Sequence, residues 1–243
     1  MPDRHALLIG NSEFRQAGLT RLSAPANDVR ELAALLEDKA IGGFTTKLKL
    51  DASLVDARGE IRQLFENRHA DDLVLLYYSG HGLLDTSGRF YLAMTETDPK
   101  NPDASSIDEI WLRDVFNNSR SKRQVVILDC CHSGAFIPDA GTRKKASTGP
   151  ILTEKTLDPT GHGRFIMAAT TAETSAFEQE GRSLYTRHLV EGLTEGAAAP
   201  KSDKVTIFDL HKFVEQRVIE TSKDIMRPQA MSSNRVGEGS AQA

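Results

Sequence analysis

Two peptides of this chain set a reactive side chain among glycines: Tyr78-Ser79-Gly80-His81-Gly82 and Asp129-Cys130-Cys131-His132-Ser133-Gly134. A cysteine thiolate is a nucleophile, and an imidazole within reach raises the thiolate fraction and can later protonate a leaving amine. Glycines on either side allow tight turns and close approach of a substrate backbone. The backbone N–H groups of Gly82 and Cys131 could donate to the oxyanion of an acyl-transfer intermediate. These parts suffice for peptide hydrolysis. Taken singly, a loop histidine and a small packed cysteine are commonplace; their joint occurrence in two glycine-flanked peptides is what points to chemistry.

Each peptide ends a short, nearly continuous apolar run, Asp72 to Ser79 (DLVLLYYS) and Gln124 to Asp129 (QVVILD), the pattern of buried parallel strands. His5 to Gly10 and Arg164 to Ala169 read as further core strands, and the alternating Phe44 to Leu50 as a more exposed one. Helical patterns lie between them. The first is Asn27 to Asp38, capped by Asn27, with Val29, Leu32, Leu35 and Leu36 on one face. The others are Ser53 to Arg68, Ile110 to Asn117, where Trp111 reads as a core or half-buried anchor, Ser183 to Leu193 and Thr206 to Thr221. Alternating strands and helices predict an α/β layered fold with a mainly parallel sheet. Sites in such sheets form outside the carboxyl ends of the strands. If the two motif-bearing strands are neighbours, the histidine and a cysteine meet at one edge.

The 243 residues, 39% hydrophobic and 26% charged, have an ordinary globular composition. They are read as one domain in which an exposed linker, 136–163, separates a front part, 1–135, from a back part, 164–243. Phe136 to Gly163 holds three prolines, four glycines and the basic run Arg143-Lys144-Lys145, with no sustained period. The tail from Val236 is expected to fray. A net charge of −4 supplies no basic footprint for a nucleic acid. The apolar runs are too short to span a membrane, and the N-terminus lacks a signal peptide's layout, so the expected compartment is the cytoplasm. The only two cysteines are adjacent, which rules out a disulfide framework. The histidines show no zinc spacing and the glycines no phosphate loop, which disfavours a flavodoxin-like binding domain. Oligomeric state is left open.

The peptides LLIGNSEF, LSAPANDVREL, YYSGHG and DCCHSG together resemble the caspase-like clan of cysteine peptidases, most closely its metacaspase and prokaryotic orthocaspase branches. His81 precedes Cys131 by 50 positions, a separation taken from caspases themselves rather than from geometry. The D-x-C-H-S-G form, in place of the animal-caspase peptide, implies Cys131 as nucleophile, His81 as its partner and Cys130 as a bystander. The resemblance implies a sheet of about six strands flanked by helices, and large and small parts joined by a cleavable linker. It further implies that Asp28, Ser79 and Asp129 form an acidic pocket for the residue before the scissile bond. Two close carboxylates favour a guanidinium or ammonium and repel Asp, so the expected partner is a protein substrate with Arg or Lys there. Arg143, Lys144 and Lys145 would then be candidate self-cleavage positions, with a plain solvated charge run as the alternative. Many metacaspases use calcium, for which Asp98, Asp108, Glu109 and Asp139 are a loosely matching ligand set. The competing reading is a catalytically silent caspase-like interaction module, disfavoured because His81 and Cys131 are both intact.

Overall fold

The structure is a computed structural model that describes residues 2–130, 132, 163–169, 178–179, 181–194, 197–202, 204–223 and 225–233. Five of the predicted strands appear within a residue or so of their expected bounds: β1 (Arg4–Gly10), β2 (Thr45–Leu50), β3 (Leu73–Ser79), β7 (Arg123–Asp129) and β8 (Gly163–Ala168). Between and beyond them run α1 (Pro25–Glu37), α2 (Leu54–Phe65), β4 (Gly82–Leu84), β5 (Phe90–Ala93), α3 (Pro102–Ser105), β6 (Ser106–Asp108), α4 (Glu109–Asn118), β9 (Glu178–Gln179), β10 (Arg182–Ser183), α5 (Leu184–Leu193), α6 (Ile207–Thr221) and β11 (Gln229–Ser233).

Local chemistry sets most helix starts. The side chains of Ser53, Asp108, Ser183 and Thr206 each accept the N–H three residues on, and Thr206 with Asp209 closes a capping box. The first helix departs from expectation. Pro25 occupies its first turn after the uncapped Ala24, as suits a residue without an N–H at a helix start. Asn27 therefore sits inside the helix, exposed, and its side-chain N–H₂ donates to the Gly181 carbonyl at 2.9 Å. Ala33 joins Val29, Leu32 and Leu36 in the core, while Leu35 is only half-buried.

The main sheet has six strands in the order β11-β8-β7-β3-β1-β2, parallel except for β11, which runs antiparallel to β8. Chain order reverses at β1, with β2 on one side and β3 on the other, the topological arrangement that opens a crevice at the strand ends. β8 and β11, from beyond the linker, complete this same sheet. Gly163 belongs to β8 rather than to the linker; positions 136–162 and the tail from Val236 lie outside the described residues.

Alternation along the strands splits the core in two. Val74, Leu76 and Tyr78 of β3 with Val126, Leu128 and Cys130 face α2 and α4, where Ile61, Phe65, Leu112 and Phe116 complete one cluster. Leu75 and Tyr77 with Val125 and Ile127 face the other way, into a cluster with Val29 and Leu32 of α1, Leu184 and Leu189 of α5, and Val214 and Val218 of α6. A small antiparallel sheet, β4-β5-β6, follows directly from the His81 loop. Trp111 is half-buried, with the Arg58 guanidinium 5.1 Å and that of Arg62 5.7 Å from its ring centre. No helix among the described residues is long and apolar enough to cross a membrane.

Candidate active site

The two strands that carry the motifs are neighbours, paired in register to their last residues, Ser79 opposite Asp129. The Gly80 N–H reaches the Asp129 carbonyl at 3.4 Å, so the two strands end side by side at the carboxyl edge of the sheet. Buried Asn11, just past β1, braces this edge: its side chain donates to the Ala93 carbonyl at 3.0 Å and accepts from the Ala52 N–H at 2.9 Å.

His81 is held at both ends. Its carbonyl accepts the Ala93 N–H at 3.0 Å and lies 3.0 Å from the Tyr78 hydroxyl. Its ring lies 4.8 Å from that of Phe14, centre to centre. Ring Nε2 is 2.8 Å from the Thr20 carbonyl oxygen. A carbonyl only accepts, so Nε2 carries a proton, and in the neutral ring Nδ1 is the basic nitrogen. Thr20 contributes through its backbone, which no side-chain motif could have signalled. Gly82 opens β4 and is buried.

Gly80 is required here by space. A Cβ on it would lie 2.4 Å from the hydroxyl of Tyr78, a fully buried ring whose oxygen is also 2.7 Å from the Ala93 carbonyl. Gly80→Ala is therefore expected to cost about 1–3 kcal/mol by overpacking. For a chain of this size that lowers Tm by several degrees, read from a thermal melt. A wild-type Tm would show that the loop yields freely.

On the other strand, Cys130 is fully buried in the α2 and α4 cluster. His132 is exposed and adopts a left-handed backbone, φ 56°. Cys131, between them, lies outside the described residues, as do Asp139, Arg143, Lys144 and Lys145.

The three expected pocket residues come together on the α1 and α5 side of the sheet. Asp28, in the first turn of α1, is fully buried, and Asp129 is 5% exposed. The Ser79 hydroxyl donates to Asp28 Oδ2 at 3.1 Å, and the Ser183 N–H to Asp28 Oδ1 at 3.1 Å. Asp129 Oδ2 accepts from Thr186 Oγ1 at 2.7 Å and from the Ser183 hydroxyl, and lies 3.4 Å from the Tyr77 hydroxyl. Ser183 thus bridges both acids, its N–H to one and its hydroxyl to the other. Burial, then the charges of Asp129 and Asp28, push the Tyr77 phenol well above its usual range, which keeps it a proton donor. Sequence reading missed Tyr77, Ser183 and Thr186. One signal was legible: a tyrosine within an apolar strand needs a partner for its hydroxyl.

The described acids of the calcium set do not gather. Asp108 caps α4 through the Trp111 N–H at 2.9 Å and faces the Arg58 guanidinium at 3.6 Å. Glu109 lies 3.9 Å from Arg113, and burial raises its carboxyl. Asp98 accepts the Lys100 N–H within its own turn at 2.9 Å. Two of these three acids thus face arginines, and Asp139 lies outside the described residues. Among the described residues no group of three His, Cys, Asp or Glu could hold a metal ion.

Comparison with known proteins agrees with this architecture. A peptidase-family model described as Caspase domain matches residues 3–237. Among solved structures, protein GSU0716 from Geobacter sulfurreducens superposes with a TM-score of 0.65 at 17% identity, covering 96% of this chain and 94% of that one. Caspase-1 from Spodoptera frugiperda gives 0.64 at 15% identity, covering 95% and 86%. Pro-sf-caspase-1 gives 0.64 at 15% identity, covering 96% and 87%. No curated protein sequence matches the chain.

Proposed function

The chain belongs to the caspase-domain family of cysteine peptidases, and on that premise we propose that it is an endopeptidase that cuts proteins after Arg or Lys with Cys131 as nucleophile and His81 as its proton-transfer partner. The observation that supports this reading is the register of β3 and β7, which ends the two motif-bearing strands at one sheet edge with Ser79 opposite Asp129.

With Nε2–H directed at the Thr20 carbonyl, Nδ1 of His81 takes the thiol proton, and the Cys131 thiolate attacks the scissile carbonyl. The N–H groups of Gly82 and Cys131 receive the oxyanion. The imidazolium returns its proton to the leaving amine, and water then hydrolyses the thioester, with His81 as base. Asp28, Ser79 and Asp129 receive the basic side chain before the cut. Buried carboxylates at the floor of a pocket form charge-assisted hydrogen bonds with a guanidinium or ammonium, and an Asp side chain there would bury like charge without a partner. Cleavage within the chain's own Arg143-Lys144-Lys145 run follows from the same preference.

A series of fluorogenic peptides differing only in the residue before the reporter tests this. Arg and Lys peptides are expected to be cut at least about a hundredfold faster than the Asp peptide, since one unpaired buried charge costs several kcal/mol. Preference for Asp would overturn the specificity, and no cleavage of any peptide or protein substrate would favour the silent interaction module.

A further inference from the structure

Three hydroxyl groups converge on a single oxygen of Asp129, and their proton order is determined. A carboxylate only accepts, so Thr186 Oγ1 gives its one proton to Asp129 Oδ2 at 2.7 Å. The Tyr77 hydroxyl, 2.6 Å from the same threonine oxygen and 3.4 Å from the carboxylate, makes its shorter bond as donor to Thr186. Ser183, whose hydroxyl also donates to Oδ2, accepts the Thr186 N–H at 2.9 Å as the cap of α5. The chain of donors therefore runs from Tyr77 to Thr186 to Asp129, with the positive end of a ten-residue helix behind it.

Geometry gives this network a task. With these hydroxyls gathered on Oδ2, turning the planar carboxylate about its Cβ–Cγ bond breaks the hydrogen bonds from Thr186 and Ser183. Thr186 is 1% exposed and Tyr77 is fully buried, so close packing holds both side chains in place. Tyr77 and Asp129 come from the central strands, whereas Thr186 and Ser183 come from beyond the linker.

Resting on the reading of Asp129 as an acid that receives the substrate's basic side chain, we propose that Thr186, backed by Tyr77, is a positioning residue that sets the direction in which Asp129 presents its charge. Charge discrimination by the front part of the chain is thereby completed by α5 of the back part. Neither residue touches substrate; both act through Asp129.

The test compares kcat/KM for a peptide ending in Arg with that for the same peptide ending in citrulline, its neutral isostere. Loss of fold or general packing lowers both, while misdirection of Asp129 lowers their ratio. Thr186→Val keeps the shape and removes the hydroxyl, and is expected to lower the ratio about tenfold, chiefly through KM for the Arg peptide. Thr186→Ser restores it to within about twofold, and Tyr77→Phe lowers it about threefold. An unchanged ratio in Thr186→Val and Tyr77→Phe, with a collapsed ratio in Asp129→Asn, overturns the positioning role and leaves the pocket standing. An unchanged ratio in Asp129→Asn overturns the pocket itself. Should Thr186→Val fail to fold, Tyr77→Phe decides, because it retains the ring that fills the core; a wild-type ratio there overturns the proposal.

Discussion

Cys131→Ala is expected to reduce peptide hydrolysis by at least about ten-thousandfold, to the detection limit, because no other group in the proposed site can form the acyl-enzyme. The chain still folds, as a cooperative melt would show. Cys130→Ala should behave in the opposite way. Cys130 is fully buried in the same cluster as Leu128, Val126 and Tyr78, and buried structural cysteines are inert. Its replacement leaves a small void that costs about 1 kcal/mol, seen as a Tm a few degrees lower with most activity retained. The chain has no third thiol, so the pair of variants is decisive. An inactive Cys130→Ala beside an active Cys131→Ala would reverse the assignment, and activity in the double variant would remove cysteine chemistry altogether.

Asp129→Asn is expected to lower kcat/KM for Arg peptides at least tenfold, or about 1.4 kcal/mol, with a much smaller effect on neutral peptides. A charged hydrogen bond to a guanidinium contributes roughly 1.5–3 kcal/mol, and the amide withdraws one such acceptor while retaining the volume. Part of any loss will be structural. Oδ2 of Asp129 accepts from Thr186 and Ser183 and lies 3.4 Å from the Tyr77 hydroxyl, and an amide can serve those donors only if its oxygen takes that place. A thermal melt separates the contributions: a fall for Arg peptides beyond that for neutral ones, at a Tm near wild type, supports the specificity role. Equal loss for both peptide classes would show that Asp129 acts only as a brace between β7 and α5.

Both motifs divide their residues between the two faces of the sheet. Tyr78 and Cys130 point to the α2 and α4 core, and Tyr77 and Asp129 to the α1 and α5 side. Neighbouring residues in each motif therefore have opposite duties. Tyr78 braces the loop of His81 through that residue's carbonyl and through Ala93, and Tyr77 braces the acid. The two faces of a strand allow this because successive side chains point in opposite directions.

What was legible in the sequence is what short-range chemistry determines. Apolar runs ending in Gly, Ser or Asp marked β1, β3 and β7, alternation marked β2, and the apolar run at 164–169 marked β8. Ser53, Ser183 and Thr206 marked helix starts because a cap acts within three residues. The glycine-flanked His81 and Cys131 peptides were visible for the same local reason. The sixth strand, β11, was not: Gln229–Ser233 is short and polar, and its strand character comes from pairing with β8. Nor were β4 to β6, whose three- and four-residue segments carry too little periodicity. Asn27 looked like a cap, since its type favours one. Pro25 started the helix earlier and left the amide to bind Gly181, 154 residues away.

The acids show the same division. Asp28 and Asp129 could be named from their motifs, but their meeting depends on α1 and α5 packing on one face of the sheet and on Ser183 reaching both. The Thr20 carbonyl beside His81, and the hydroxyls of Tyr77 and Thr186 around Asp129, belong to residues separated by 61, 52 and 57 positions from their partners. Residue type and spacing determined which groups could react; only the tertiary structure decided which donors orient them, because a hydrogen bond across the sheet requires the register and layer packing to exist first.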